Sequence, residues 1–150
     1  MNQNRYIKQY QKTQVETASQ ETILIMLHDG VIQFLNKAKA AMDRKDIQDA
    51  HTNLIGAQNI LYEFLHTLDP EPNPELASHL TNLYNYLISQ LIEANMKQTQ
   101  EPIDTVLEFI KDLKATWEQA ILNNLNNASQ NPAEQEEAPQ EDPEEKVYDA

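Results

Sequence analysis

"ETILIMLHDGVIQFL", residues 21–35, decides how this chain folds. Ile23, Leu24, Ile25, Met26 and Leu27 are five apolar residues in a row, and Gly30 follows within the same helical pattern. At about 100° per residue, five successive side chains span the whole circumference of a helix, whereas packing one face on a core needs only a stripe. The stripe is present: Leu24, Leu27, Val31, Phe34, Leu35, Ala38 and Met42 recur at helical spacing. Ile23, Met26 and Gly30 form one neighbouring flank, and Ile25 with Ile32 the other. Glycine inside a helix costs about 1 kcal/mol relative to alanine, which is consistent with a close backbone approach at Gly30. Two occupants fit the extra apolar surface: the protein's own helices and N-terminal segment, or an incoming helix laid along a groove with Met26 as an adaptable lining.

Working outward, Ser19 is placed to cap this first helix, with Glu21 at its positive end. The pattern stops in "DRKD", and Asp46 caps a second helix whose stripe is Ile47, Ala50, Leu54, Ala57, Leu61, Phe64 and Leu68. "LDPEPNP" ends it, because three closely spaced prolines cannot continue a helix. Asn73 followed by Pro74 reads as a cap and first helical position. Leu76, Leu80, Leu83, Tyr84, Leu87, Ile88, Leu91 and Ala94 then give a third face. After "KQTQEP" a fourth helix carries Ile103, Val106, Leu107, Ile110, Leu113, Trp117, Ala120 and Ile121, with Trp117 assigned to the core. Short connections favour antiparallel neighbours, so the expected fold is all-α, an antiparallel four-helix bundle.

The 150 residues fit one domain able to bury a core without cross-links, and the absence of cysteine excludes disulfides, thiolate metal sites and thiol catalysis. Residues 128–150 hold −7 of the net charge of −13 and are rich in Glu, Gln and Pro. Such a composition cannot offset its ordering entropy, so the expected division is an arm at 1–18, a bundle at 19–125 and a disordered acidic tail at 126–150. No basic stripe is available for phosphates, so nucleic acid is not an expected partner. No stretch approaches the roughly 18 apolar residues of a membrane span and the N-terminus lacks an apolar signal core, so a cytoplasmic, untargeted protein is expected.

Candidate chemistry is sparse. His28-Asp29 resembles one ligand pair of helical phosphohydrolases, but no other histidine precedes it and the further ligands are missing. Glu63 and His66 have the Glu-x-x-His spacing of di-iron bundles, yet the motif occurs once and both residues point away from the stripe through Leu54, Leu61 and Phe64. His51 and His79 stand without partners at ligand spacing and are expected at the surface. With no glycine-rich phosphate loop and no G-x-S-x-G, the reading is a non-enzyme with no cofactor and no metal. Asn95, at the edge of an apolar face, fits either a partner contact or an internal hydrogen bond.

A series of segments nevertheless resembles the FliS-type flagellar export chaperones. "TASQETILIMLHDGVIQFL" is similar to that family's first-helix pattern, "AHTNLIGAQNILYEFLHTLD" to its second, and "LYNYLISQLIEAN" and "LKATWEQA" to its third and fourth. The similarity covers roughly residues 6–122, and the order and spacing of the segments carry it. Three positions depart from the pattern. His28 stands where tyrosine is usual, Gln20 where proline is frequent, and Gly56 where a long polar residue is common; lying opposite the core stripe, Gly56 is expected to fray locally without effect on function.

The resemblance implies a cytoplasmic chaperone that binds the disordered C-terminal segment of flagellin, prevents its premature polymerisation and delivers it to the cytoplasmic domain of the flagellar export gate. It implies a monomer or weak homodimer. Ile23, Met26, Leu27, Gly30 and Asn95 are then expected to contact the client. Tyr6, Ile7 and Tyr10 correspond to an N-terminal segment that lies over the bundle when no client is present. The alternative is a helical adaptor or regulator with another amphipathic client.

Overall fold

The computed structural model describes residues 19–130. The expected arm, with Tyr6, Ile7 and Tyr10, and the tail from residue 131 lie outside the described residues. Four helices follow one another: α1 (Gln20–Asp43), α2 (Ile47–Thr67), α3 (Pro74–Lys97) and α4 (Glu101–Gln130). Among the described residues there is no strand.

The expected start signals act as capping groups. The Ser19 hydroxyl accepts from the Thr22 amide at 3.2 Å, the Asp46 carboxylate from the Asp49 amide at 3.1 Å, and the Asn73 side-chain oxygen from the Leu76 amide at 3.1 Å. Each satisfies a donor that a helix leaves unpaired in its first turn. The stops are made by residues in the left-handed region, Lys45 (φ 58°) after α1 and Gln98 (φ 51°) after α3.

Compact packing divides the chain at Ala115. In the first unit, cross-helix contacts fix the topology. Gly30 faces Ile60, Phe34 faces Gly56, and the His28 ring stacks on Phe64 with centroids 4.8 Å apart, so α1 and α2 run antiparallel. Phe64 against Tyr84 and His51 against Asn95 do the same for α2 and α3. Tyr86 meets Phe109 edge-on between α3 and α4. Lys39–Asp104 and Asp29–Lys114, both at 2.6 Å, close α4 onto α1. Each helix therefore has two antiparallel neighbours in an up-down-up-down bundle.

The core between them is formed by Val31, Leu35, Leu54, Leu61, Leu87, Leu91, Ile103, Val106 and Ile110, all fully buried. Burying each such side chain contributes roughly 1.5–3 kcal/mol. Leu24, Leu27, Phe34, Met42 and Leu113 pack against this core from its edges, half-buried.

Three expectations are corrected here. Gly56 does not fray on an outer face; it receives the Phe34 ring, whose nearest atom lies 2.7 Å from the position a Cβ would take. It sits in the seam between α1 and α2, a neighbouring flank that a stripe drawn through Leu54 and Leu61 does not include. Ile47 and Leu76, read as stripe members, are 64% and 51% exposed, because the first turn of a helix can project beyond its neighbours. A second compact unit begins at Thr116. Helix α4 runs on to Gln130. In that second unit Trp117 and Ile121 are half-buried and Ala120 is exposed, which removes Trp117 from the core.

Candidate functional site

The Gly30 flank of α1 is largely occupied by the protein itself. A Cβ on Gly30 would stand 3.1 Å from Cδ1 of Ile60, so the close approach that this glycine permits is made by α2. Met26 and Ile23 lie one and two turns earlier on the same flank and are half-buried. Leu27 is half-buried and packs on the core together with Leu24. The structure thus places Gly30 against α2, keeps Ile23 and Met26 half-buried on the same flank of α1, turns Leu27 inward, and leaves Asn95 on a different helix.

His28 and Asp29 separate completely. Asp29 pairs with Lys114, while His28 is fully buried, with Nδ1 2.8 Å from the Leu24 carbonyl oxygen and the ring stacked on Phe64. A carbonyl oxygen only accepts, so Nδ1 carries the proton; Nε2 is buried without a hydrogen-bond partner among the described residues. Burial holds the imidazole pKa below its ordinary value, against weaker opposing contributions from the Leu24 carbonyl and Asp29. This is a packed, neutral histidine. Glu63 and His66 are exposed, as their position opposite the stripe requires, and among the described residues no group of three or more metal-ligating side chains comes together.

An accessible apolar strip lies along the outer seam between α2 and α3. Across it Asn95 Nδ2 donates to His51 Nδ1 at 2.7 Å, which places the His51 proton on Nε2. Gln98 Nε2 donates to both the Asn95 carbonyl (2.8 Å) and its side-chain oxygen (3.3 Å), fixing the orientation of that amide. From this polar bridge, Ile55 is one turn along α2 and Ile92 about one turn back along α3, so antiparallel packing sets them side by side. Tyr62, two turns beyond Ile55, is 42% exposed, Ile92 is 42% exposed, and Met96 at the rim is 80% exposed. Ile47 ends the strip at the start of α2.

Asn95 is therefore an internal hydrogen-bonding residue that also lies in the middle of an open apolar strip. Sequence reasoning missed Ile55, Tyr62, Ile92 and Met96. Their signal was the i, i+4 pair Ile92 and Met96, which stands away from the α3 core stripe and has no structural reason to be apolar.

The strip is mainly apolar, and among the described residues no group of three or more metal-ligating side chains lies on it. Its geometry suits an amphipathic helix lying along two antiparallel helices with side-chain anchors in the seam.

Comparison with known proteins bears on what such a bundle belongs to. The family model described as flagellar protein FliS matches residues 2–124. The flagellar secretion chaperone FliS of Bacillus subtilis (strain 168) is 34% identical over 119 residues, covering 79% of this chain and 87% of that protein. Its counterpart in Vibrio cholerae is 32% identical, covering 71% and 79%, and that of Escherichia coli K12 is 30% identical, covering 73% and 81%. A crystal structure of a bacterial flagellar chaperone superposes with a TM-score of 0.66 at 19% identity, covering 78% of this chain and 98% of that one, which supports the fold. The departures at His28 and Gly56 sit within a match that spans all four helices, and the chain belongs to the FliS family of flagellar secretion chaperones.

Proposed function

We propose that this protein is a cytoplasmic export chaperone for flagellin: it binds the disordered C-terminal segment of the client as helix, keeps it from polymerising, and presents the complex to the cytoplasmic domain of the export gate. The observation that carries the reading is the apolar strip of the α2–α3 seam in a chain of the flagellar chaperone family. Monomeric proteins leave few contiguous apolar patches in water, and one that follows two antiparallel helices matches the shape of a third. An unfolded, amphipathic client gains apolar burial there and loses conformational freedom, so disorder-to-helix coupling is the expected signature. The role is binding, with no catalysis. Among the described residues, no helix is long and apolar enough to cross a membrane, which agrees with action in the cytoplasm.

Ile23 and Met26 on the α1 flank serve as a secondary contact in this reading, reached where α2 leaves them half-exposed. Gly30 is not assigned to the client, because Ile60 already fills the space beside it. Tyr6, Ile7 and Tyr10, which lie outside the described residues, stay assigned in this reading to an N-terminal segment that lies over the bundle until the client arrives.

The test is isothermal titration of the chain with the C-terminal segment of a flagellin from the same cell, alongside circular dichroism of the mixture. An equimolar complex with a gain in helix is expected. Ile92→Asp and Tyr62→Asp, both at exposed positions, should each weaken it at least about tenfold, or 1.4 kcal/mol, while leaving the thermal midpoint nearly unchanged. No binding to flagellin, with capture of an unrelated amphipathic helix instead, would replace this function with that of a general helical adaptor.

A further inference from the structure

The side of α3 away from the proposed client seam carries a second surface, between α3 and α4. Tyr86 and Phe109 meet there with ring centroids 6.1 Å apart and planes at 79°, yet remain 44% and 40% exposed. An edge-to-face aromatic pair left this open is an unfilled half of a contact. Toward the α3–α4 connection the same two helices border a cavity of ≈ 370 Å³ lined by Gln90, Glu93, Lys97, Thr99, Glu101, Pro102 and Thr105.

The lining is rich in acceptors. Its cation, the Lys97 ammonium, is already held by the Glu93 carboxylate at 2.7 Å. Thr105 donates its hydroxyl proton to the Glu101 carbonyl at 3.3 Å, leaving its oxygen lone pairs to accept. The Glu101 carboxylate is exposed and has no ion pair among the described residues. Two carboxylates against one neutralised ammonium leave a net negative pocket with hydroxyl and amide oxygens around it, which is complementary to a guanidinium or ammonium group and repels an anion.

Spacing joins the two features. Tyr86 precedes Gln90 and Glu93 by one and two helical turns, and Phe109 follows Thr105 by one turn, so the aromatic pair and the pocket are about 6–10 Å apart along the groove. We propose that this α3–α4 groove is a second docking surface, taking a basic amphipathic helix of another protein that places an apolar anchor on Tyr86 and Phe109 and an arginine or lysine, four to seven residues away, in the acidic pocket. It does not depend on the flagellin reading, because the groove and the client seam lie on opposite sides of α3 and both can be occupied together.

The experiment uses the full chain and a fluorescently labelled 16-residue helical peptide with one leucine anchor and arginines four and seven residues beyond it, with a charge-reversed peptide bearing glutamates as control. Fluorescence anisotropy should show saturable binding of the arginine peptide and none of the control. Phe109→Ala and Glu101→Lys, each at an exposed position, should weaken it at least about tenfold, whereas Ile92→Asp in the client seam should not change it. Amide chemical-shift changes on adding the peptide should cluster at Tyr86, Thr105 and Phe109. Binding that survives both groove variants, or shift changes confined to the acidic C-terminal residues, would show general charge attraction to a chain of net charge −13 and overturn the proposal.

Discussion

Gly56→Ala tests the interlock between α1 and α2. The two helices meet through a reciprocal pair: Ile60 of α2 rests on Gly30 of α1, and Phe34 of α1 rests on Gly56 of α2. An added methyl at Gly56 would stand 2.7, 2.8 and 2.9 Å from three atoms of the Phe34 ring, closer than carbon atoms approach without displacement. Relieving that clash by moving the ring or the helix costs roughly 1–3 kcal/mol, and alanine's better helix propensity returns about 1 kcal/mol. The net loss should be on the order of 1 kcal/mol, read from the urea midpoint at constant slope. Replacing Phe34 by leucine first removes the ring, so in that background the same substitution should instead gain up to about 1 kcal/mol from propensity alone. The double-mutant cycle should then report a coupling of about 2 kcal/mol. A Gly56→Ala protein that is more stable than the parent, with no coupling to Phe34, would mean that the ring does not rest on this glycine and that the interlock is absent.

Lowering the pH should expose His28. Its pKa in the folded chain lies below the ordinary 6.5, so under that value the unfolded chain takes up a proton that the folded one resists. Stability should be level above pH 6.5 and fall as pH drops from 6.5 toward the folded pKa, by at most about 1.4 kcal/mol per pH unit. His28→Phe, which keeps the stack on Phe64, should flatten urea midpoints between pH 7.5 and 5.5; an unchanged slope would place the titration elsewhere. Trp117→Ala should cost about 1–2 kcal/mol, below the roughly 3–5 kcal/mol of a fully buried tryptophan, because the side chain is only half-buried. A loss in the upper range, measured by chemical denaturation, would return Trp117 to a core role.

Much of the helical layout was legible from local chemistry. Ser19, Asp46 and Asn73 act through groups that satisfy donors within the same turn, so nothing distant is needed to recognise them. The core of α1 to α3 was equally visible, because leucine, isoleucine and alanine at spacings of three and four report burial directly. What failed depended on neighbours. A single stripe puts Gly56 on an outer face, but in a bundle α2 touches both α1 and α3, and its flanks are contact surfaces too. Trp117 continues the α4 stripe in register, yet the first compact unit ends two residues before it. Periodicity cannot report where the partners of a long helix stop.

The candidate site was hard to read for the opposite reason. The five apolar residues at 23–27 drew attention to α1, and the structure distributes them among core contacts and half-covered flanks without leaving any of them exposed. Ile92 and Met96 drew none, because single apolar residues among Ser89, Gln90, Glu93 and Lys97 resemble ordinary surface scatter. Their alignment with Ile55 and Tyr62 comes from the antiparallel packing of α2 on α3, which the His51–Asn95 bond spans across 44 residues of sequence and no local window contains. A run of apolar residues is what a bundle needs to fold, so it marks the client surface poorly. Residues that the core stripe excludes, and that antiparallel packing then brings into line, are better candidates, since folding gives them no reason to be apolar and a binding partner does.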